Sequence, residues 1–330
     1  MNTQAAMIFP LETMDIPPGE EAEARRPLRA RLVGMIERGE VQQSQAARQA
    51  GISAAALSTW LREEYKGDNG EVERKLARWL ASSERRQEAA SAAPSVPEWA
   101  PTPTAKKMLD GMHYAQASAD AVIIYGGAGL GKTCTCQEYQ RRNPNVWIAT
   151  MAPDTARIYP ALEEIAEAAN LRSIPGRASR LRRELVKRFQ GTGGLLIIDE
   201  AQHLSVDALE SIRAIHDATG VGLVLSGNEK VYTALFGGSR AATFAQLYSR
   251  VGKKVHVTKT SADDAAAYLA ATGLRDKKLR ALLASIATKD RNLRGMVKVY
   301  KLAGIMARVA GEPLQEKHVK DAWNETGGSQ

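Results

Sequence analysis

At 330 residues, with 44% apolar and 25% charged residues, the chain has the composition of a soluble globular protein with room for two or three domains. A formal net charge of +8 indicates a polyanionic partner such as nucleic acid, although a solvated basic surface would give the same balance. The sequence shows neither a basic, apolar leader nor an apolar run of roughly twenty residues, so we expect a cytoplasmic protein rather than a secreted or membrane-spanning one.

The N-terminal part of the chain predicts a small helical domain. Residues 1–24 have little periodicity and are expected to form a flexible arm, and residues 25–88 are expected to form a helix-turn-helix domain. Gly51 supplies the turn and Ser53 caps the second helix. A helical module that binds only protein would show the same pattern. Because the second helix lacks Arg, Asn and Gln, which pair with base edges, any DNA contact here is expected to be weakly sequence-specific.

Residues 89–104 are rich in Ala, Ser and Pro, which is typical of a semi-rigid, solvated linker. After them, a nucleotide-binding core is expected over 105–259 and an all-helical lid over 260–330. In the core, strands and helices alternate with short connections, which predicts an α/β fold with a parallel sheet between two helical layers. The predicted strands are 121–125, 146–151, 195–198, 221–225 and 254–257. The predicted helices are 134–142, 155–170, 179–190, 206–219 and 229–236 in the core, and 261–271, 276–288, 293–310 and 315–323 in the lid.

The strongest motif follows the first predicted strand and fits the phosphate-binding pattern G-x-x-x-x-G-K-[ST]. Its residues are Gly126, Gly127, Ala128, Gly129, Leu130, Gly131, Lys132 and Thr133. The glycines allow successive backbone N–H groups to turn inward around a phosphate. Lys132 is expected to reach the β- and γ-phosphates of ATP, and Thr133 to offer its hydroxyl to Mg²⁺. A chance glycine-rich turn is the alternative, but strand, loop and helix follow in the order that binding requires.

Cys134 is the first residue after this motif and is expected to lie in the helix whose positive end faces the phosphates. Cys134 and Cys136 are the only cysteines, too few and too close for a disulfide framework or a zinc site. They are therefore expected to be small helix residues in a reducing compartment.

Two later strands end in polar residues suited to ATP hydrolysis. The apolar strand 195–198 continues into Asp199 and Glu200. We expect Asp199 to hold Mg²⁺ and Glu200 to polarise the attacking water, although an apolar run before two acids is also a common strand ending. Asn228 follows strand 221–225, where it is expected either to lie beside Glu200 and orient the water or to be an ordinary turn residue.

A basic segment precedes strand 195–198 and contains one acid, Glu184. Its basic residues are Arg172, Arg177, Arg180, Arg182, Arg183, Lys187 and Arg188. Leu181, Leu185 and Phe189 mark the buried face of the predicted helix, so several of the cations point outward. Since no aromatic residues are interleaved among them, the segment favours the backbone of duplex DNA over single strands. A solvated basic helix face is the alternative.

In this order the motifs resemble those of the AAA+ ATPases and, within them, the Mu B family of target-selection ATPases from phages and transposons. The resemblance covers nearly the whole chain. It implies that the glycine-rich loop is Walker A, the two acids are Walker B and Asn228 is sensor 1. Arg250 resembles the arginine finger that reaches a neighbouring subunit, and Arg294 resembles sensor 2 of the lid. Three other arginines lie close enough to compete for these roles: Arg240, Arg275 and Arg291.

The resemblance also implies a function for the whole chain. An ATPase of this kind assembles with ATP as a homo-oligomer or helical filament on double-stranded DNA, largely regardless of sequence, in the cytoplasm of a bacterial host. It is expected to select target DNA, deliver it to a transposase and stimulate strand transfer, while hydrolysis times its release. The alternatives are a helicase or helicase loader, and an ATP switch whose helical domain binds only protein.

Overall fold

The computed structural model describes residues 21–171, 176–236 and 251–327. The chain divides into two compact units, Met1–Ala93 with Arg308–Glu312, and Pro94–Ala307 with Pro313–Gln330. In the described ranges no helix combines the length and apolarity needed to cross a membrane.

The first unit contains a helix-turn-helix. Its helices are α1 (Glu21–Glu37), α2 (Gln43–Ala50), α3 (Ala54–Leu61) and α4 (Asn69–Ala92). Gly51 ends α2 in the left-handed conformation, with φ of 70°, which a residue with a Cβ adopts less readily. Ser53 Oγ then accepts a hydrogen bond from Ala56 N at 3.1 Å and caps α3. Both local features agree with the sequence prediction.

The core of the first unit lies between α4 and the two helices of the motif. Leu57 and Trp60 of α3 are buried against Leu76 and Leu80 of α4. The Trp60 indole donates a hydrogen bond to the buried Glu73 carboxylate at 3.3 Å, which supplies a partner for both polar groups. The outer face of α3 therefore presents mainly Ala and Ser to solvent, as expected from its sequence.

The second unit is built on a sheet of five parallel strands. The strands are β1 (Ala121–Gly126), β2 (Val146–Thr150), β3 (Leu195–Asp199), β4 (Gly222–Gly227) and β5 (Val251–Val257), in the order β2-β3-β4-β1-β5. The three central strands, β1, β3 and β4, are buried along their whole length. Ile198 pairs with Leu225 and Tyr125 with Gly227, so these three strands end side by side at one edge.

Helices cover both faces of the sheet, which confirms the predicted α/β fold. On one face lie α5 (Pro103–Ser118) and α6 (Lys132–Arg142); on the other lie α7 (Ile158–Ala168), α8 (Ala178–Phe189), α9 (Val206–Thr219) and α10 (Glu229–Phe236). Helix α7 starts three residues later than predicted. The reason is a separate 3-10 turn, Pro153–Thr155, closed by a 2.8 Å hydrogen bond from Ala152 N to Thr155 Oγ1.

The lid is all-helical, as predicted. It contains α11 (Ala262–Ala271), α12 (Lys277–Ile286), α13 (Asn292–Val309) and α14 (Glu316–Glu325), with a π-helical turn, Ala287–Arg291, between α12 and α13. Leu269, Leu283, Val299 and Val319 contribute one buried residue from each helix to the lid core. The amphipathic periodicity that predicted these helices therefore corresponds to a real packed face.

Residues 89–104, expected to form a solvated linker, contain the end of a helix and a packed segment. The first of these residues, up to Ala92, continue helix α4. Residues 94–102, which we call the strap, pack on the lid instead of lying in solvent. Ala100 belongs to the lid core, and Pro94 lies so close to α13 that a Cβ on Gly304 would stand 2.1 Å from the proline Cδ. A proline-rich segment is extended whether it is solvated or packed, so composition did not separate the two cases.

Asp264 of α11 ties the lid to the first turn of α5, directly after the strap. Its carboxylate is 1% exposed. It accepts hydrogen bonds from Thr104 N and Thr104 Oγ1, both at 2.8 Å, and from Ser261 Oγ at 2.7 Å. Burial alone would raise the pKa of Asp264, but these hydrogen bonds to the charged form outweigh it and hold the pKa below its ordinary value.

We expect Asp264→Ala to destabilise the second unit by about 2–3 kcal/mol at neutral pH, because it removes a charged acceptor and leaves buried donors unpaired. Since the folded-state pKa is lowered, the stabilisation is full above the unfolded pKa of about 4 and is lost as pH falls through the folded value. Thermal unfolding of both proteins between about pH 7 and pH 3 checks this. The difference in Tm should shrink on acidification. The exposed neighbour Asp263 is the matched control, and a pH-independent difference would contradict the prediction.

Candidate functional site

The glycine-rich loop begins at the end of β1, where the backbone packs too closely on β5 for a side chain. Gly126 has φ of 144°, and a Cβ there would lie 1.8 Å from the Val257 carbonyl oxygen. Gly129 and Gly131 also have positive φ, at 74° and 86°. The local conformation therefore explains why glycine occupies these positions, and it carries the chain directly into the N-terminus of α6.

The Lys132 ammonium folds over this loop. It donates hydrogen bonds to the carbonyl oxygens of Gly126 at 2.9 Å and Gly127 at 2.7 Å. Burial lowers the pKa of Lys132, and the nearby Arg294 lowers it further, while Glu200 and Asp199 act in the opposite direction. An anionic phosphate beside the ammonium would favour its charged form. The electrostatics of the loop thus suit a polyphosphate ligand.

Asp199, at the end of β3, accepts hydrogen bonds from hydroxyls of the first turn of α6 and of the end of β4. Thr133 Oγ1 donates to Asp199 Oδ2 at 2.6 Å, and Ser226 Oγ donates to Asp199 Oδ1 at 2.8 Å. No role was predicted for Ser226. The only signal for it was its place at the end of β4, the strand that lies between β1 and β3.

The Thr133 and Asp199 oxygens fit a magnesium ion that also binds phosphate. Mg²⁺ prefers hard oxygen ligands, keeps several waters and is commonly bound by one or two protein oxygens together with substrate phosphates. Among the described residues, no group of three or more His, Cys, Asp or Glu is placed to hold a metal by itself. The donor set therefore suits a nucleotide-linked cation rather than a resident metal centre.

Glu200 connects to Asn228 through a residue that sequence analysis missed, Gln202. Glu200 has φ of 54° and accepts a hydrogen bond from the Gln202 amide. Gln202 Oε1 in turn accepts from Asn228 N at 3.2 Å. Asn228 Oδ1 accepts from Lys230 N at 2.8 Å, near the start of α10. The strand ends β3 and β4 are thus linked by this chain of hydrogen bonds.

A cavity of about 400 Å³ extends from the loop toward the strap and lid. Its phosphate end is lined by the loop, including Lys132, Thr133 and Cys134, together with Glu200 and Arg294. Lys298 and Lys301, further along α13, line the same cavity. Sequence analysis missed both lysines. Their spacing of four and seven residues from Arg294 places all three cations on one face of the helix.

The strap forms the other end of the cavity, where its apolar side chains Val96 and Trp99 are exposed to the interior. The Trp99 indole donates to Thr135 Oγ1 of α6 at 3.3 Å, and the Arg142 guanidinium carbon lies 4.8 Å from the indole centroid. Tyr268 of the lid lines the cavity and donates its hydroxyl to Pro97 O at 2.7 Å. An aromatic and apolar wall of this kind suits a planar base.

The basic segment lies partly on α8, and its exposed residues differ in their contacts. Arg177, Arg180, Arg182, Arg183 and Lys187 are exposed. Lys187 pairs with Glu184 at 2.8 Å, and this pairing, with Arg180 and Arg183 nearby, lowers the pKa of Glu184. The described part of the segment therefore presents a basic face to solvent.

Arg188 was expected with these cations but is structural. Its guanidinium carbon lies 5.1 Å from the Trp147 ring centroid, and its Nε donates to Ala169 O at 3.2 Å. It fixes α8 against β2 and the end of α7.

Two expected site residues, Arg172 and Arg250, lie outside the described residues, as does Arg240, the arginine that competes with Arg250 for the finger role. Cys136 is buried, as a small helix residue, and burial raises the pKa of its thiol, which makes it unreactive. Cys134 is exposed in the cavity. Neither cysteine is in a disulfide.

Comparison with known proteins agrees with this geometry. Residues 115–235 match the family model described as AAA domain, and residues 249–326 match the model described as Mu B transposition protein, C terminal. The chain is 35% identical over 298 residues to the ATP-dependent target DNA activator B of Escherichia phage Mu, which is 90% of this chain and 94% of that protein. The chain belongs to the Mu B transposition protein family. Membership confirms the predicted resemblance and makes the protein an AAA ATPase of DNA transposition.

Two further relatives of the Mu B family support the assignment. The ATP-dependent target DNA activator B of Escherichia phage D108 is 35% identical over 90% of this chain and 94% of its own. The Mu-like prophage FluMu DNA transposition protein B of Haemophilus influenzae is 36% identical over 79% of this chain and 91% of its own. The similarity thus extends across both units instead of being confined to the nucleotide-binding motifs.

We expect Trp99→Ala to weaken ATP binding by about tenfold, because it removes an aromatic wall of the cavity worth roughly 1–2 kcal/mol of contact. Titration with a fluorescent ATP analogue measures the affinity. Trp99→Phe is the matched control, since it keeps an aromatic side chain at this wall while losing the indole N–H that bonds to Thr135. Equal affinities for Trp99→Ala and wild type would place the base elsewhere in the cavity.

Proposed function

We propose that this member of the Mu B family is an ATP-dependent DNA-binding protein that assembles on duplex DNA, delivers it as target to a transposase and activates strand transfer. The observation that carries the proposal is the pairing of a complete phosphate site with a basic face on α8, the helix that leads into β3 and its carboxylates. The names of the phage Mu and D108 relatives, ATP-dependent target DNA activators, support the same role.

Residues that line the cavity, and residues hydrogen-bonded to them, have distinct proposed roles in ATP hydrolysis. Lys132 would bind the β- and γ-phosphates, and Thr133 and Asp199 would hold Mg²⁺, which would neutralise charge on the phosphates. Glu200 orients and deprotonates the attacking water, and Gln202 keeps its carboxylate in place. Asn228, linked to Glu200 through Gln202, positions the same water.

Two arginines complete the proposed mechanism. Arg294 lines the phosphate end of the cavity and is suited to stabilise charge on the γ-phosphate. We assign the finger that reaches a neighbouring subunit to Arg250. Hydrolysis then requires a homo-oligomer or helical filament. Loss of the γ-phosphate weakens the contact between subunits.

DNA binding is proposed to involve the exposed basic residues of the segment and to be largely independent of sequence. Arg177, Arg180, Arg182, Arg183 and Lys187 offer cations to phosphates, and Arg172 belongs to the same proposed set. In the first unit, α3 offers few groups that distinguish base pairs. We place the activity in the cytoplasm of a bacterial host, because two relatives are proteins of Escherichia phages.

We expect Lys132→Ala to abolish ATP-dependent DNA binding, whereas Glu200→Gln should bind ATP and DNA but stall hydrolysis and remain longer on DNA. The first change removes the phosphate-binding cation, and the second removes only the base that activates water. Phosphate release and dissociation from immobilised duplex measure the two effects. Glu167→Gln, an exposed change on α7, is the control. If Glu200→Gln left DNA as fast as wild type in ATP, another residue would activate the water.

We expect Arg180→Ala with Arg183→Ala to weaken binding to all duplex sequences alike and to leave ATP binding intact. Each lost phosphate contact lowers the slope of log affinity against log salt by about 0.9, so the slope should flatten by roughly one to two units per protomer. Fluorescence anisotropy across salt concentrations measures it. Arg141→Ala is the control, because this exposed arginine pairs with Glu138 on the opposite face of the sheet. An unchanged slope in the double variant would move the DNA contact to another surface.

A further inference from the structure

The lid contacts the phosphate loop directly at the start of α13. The side-chain amide of Asn292 donates a hydrogen bond to the Ala128 carbonyl oxygen at 2.7 Å. The backbone N–H of Arg294 donates to the neighbouring Gly129 carbonyl oxygen at 3.2 Å. Two successive carbonyls of the loop are therefore held by two residues of the lid.

The backbone at Asn292 is strained. It has φ of 53° and ψ of −178°, a region that essentially only glycine occupies without strain. The residue also follows the π-helical turn Ala287–Arg291, an irregularity that is frequent at functional sites. Glycine would relieve this strain, so an asparagine here is explained only if its side chain contributes something that glycine lacks.

The phosphate loop is shaped to receive this side chain. A Cβ on Gly129 would lie 2.4 Å from Asn292 Oδ1 and 2.8 Å from Asn292 Nδ2. Any other residue at position 129 would displace the amide from Ala128. Asn292 Oδ1 also accepts from Gly295 N at 3.3 Å, which caps the first turn of α13. One side chain thus joins the loop to the first turn of the lid helix.

We propose that Asn292 is a positioning residue for ATP hydrolysis, which holds the first turn of α13 on the Ala128 carbonyl so that Arg294 stays at the phosphate end of the cavity. The inference rests on the proposed role of Arg294. Arg294 lies two residues after Asn292 and lines the same cavity as Lys132 and Glu200. Without the amide, the hydrogen bond to Ala128 is lost while the backbone hydrogen bond at Gly129 remains, so the first turn and its arginine are held less firmly at the loop.

The full-length Asn292→Gly variant separates the side chain from the backbone conformation. Glycine accepts the positive φ, so the melting temperature should be unchanged or higher. The maximal rate of ATP hydrolysis should fall roughly 10- to 100-fold, as expected when a catalytic group moves by about 1 Å. The preference for ATP over ADP in equilibrium binding should also decrease, because only ATP has the phosphate that Arg294 meets.

The Asn292→Asp variant tests the hydrogen bond that the Asn292 side-chain amide donates to Ala128 O. Its carboxylate can still accept the hydrogen bond from Gly295 N. It cannot donate one to the Ala128 carbonyl oxygen, so the Asn292→Asp variant should lose activity as Asn292→Gly does. Asn324→Gly, an exposed asparagine of α14, is the control for a change of the same type. A fully active Asn292→Gly variant would show that the Asn292 side chain is not needed for hydrolysis and would overturn the proposal.

A double-mutant cycle with Arg294→Ala decides whether Asn292 acts through the arginine. We expect Asn292→Gly to have no further effect on the hydrolysis rate in the Arg294→Ala background. Independent, multiplicative losses would overturn the positioning role while leaving the role of Arg294 intact. If Arg294→Ala alone hydrolysed ATP at the wild-type rate, the proposed role of Arg294 would itself be wrong, and that of Asn292 with it.

Discussion

Asp199 carries a buried carboxylate, and the nucleotide site is arranged around the hydrogen bonds that keep it there. At 1% exposure an ionised group needs partners that replace water. Thr133 supplies one from the first turn of α6, after the loop that follows β1, and Ser226 supplies the other from the end of β4. This arrangement requires β1, β3 and β4 to end at the same level. A slip of one residue in β3 would turn Asp199 to the opposite face of the sheet, so the register of the buried strands fixes the site.

The remaining walls of the cavity come from the strap and the lid, which are tied together. Tyr268 bonds to Pro97, while Trp99 of the strap bonds to Thr135 on α6. A base in this part of the cavity would therefore contact the strap, the lid and the phosphate-loop helix together. At the other end, Asn292 joins the lid to the loop itself. The position of the lid is thus coupled to both ends of the proposed nucleotide site.

The basic face of α8 is close in the chain to the residues that would hydrolyse ATP. Five residues separate the end of α8 from β3, and Phe189 at that end packs on Trp147 of β2 with 4.6 Å between ring centroids. The Arg188 guanidinium lies over the same tryptophan. These packing contacts join α8 to the sheet beside β3, so a ligand on α8 would lie against the element that carries the carboxylates.

The sequence by itself determined the alternating fold, the helical lid, the phosphate loop and the two strand-end acids, because hydrophobic period and glycine-lysine spacing are local signals. The same motifs, taken in order, correctly indicated the Mu B family. Only the tertiary structure brought Ser226, Gln202 and Asn292 to their hydrogen-bond partners. The sequence pattern does not show which residues of other elements lie beside these side chains. The tertiary structure also decided that residues 94–102 of the predicted linker pack on the lid. Composition indicates only a tendency to be solvated, and does not show the surface on which a segment packs. Arg188 differs from the exposed cations of its helix by lying over Trp147 and donating to Ala169 O, two contacts that no spacing within the helix encodes.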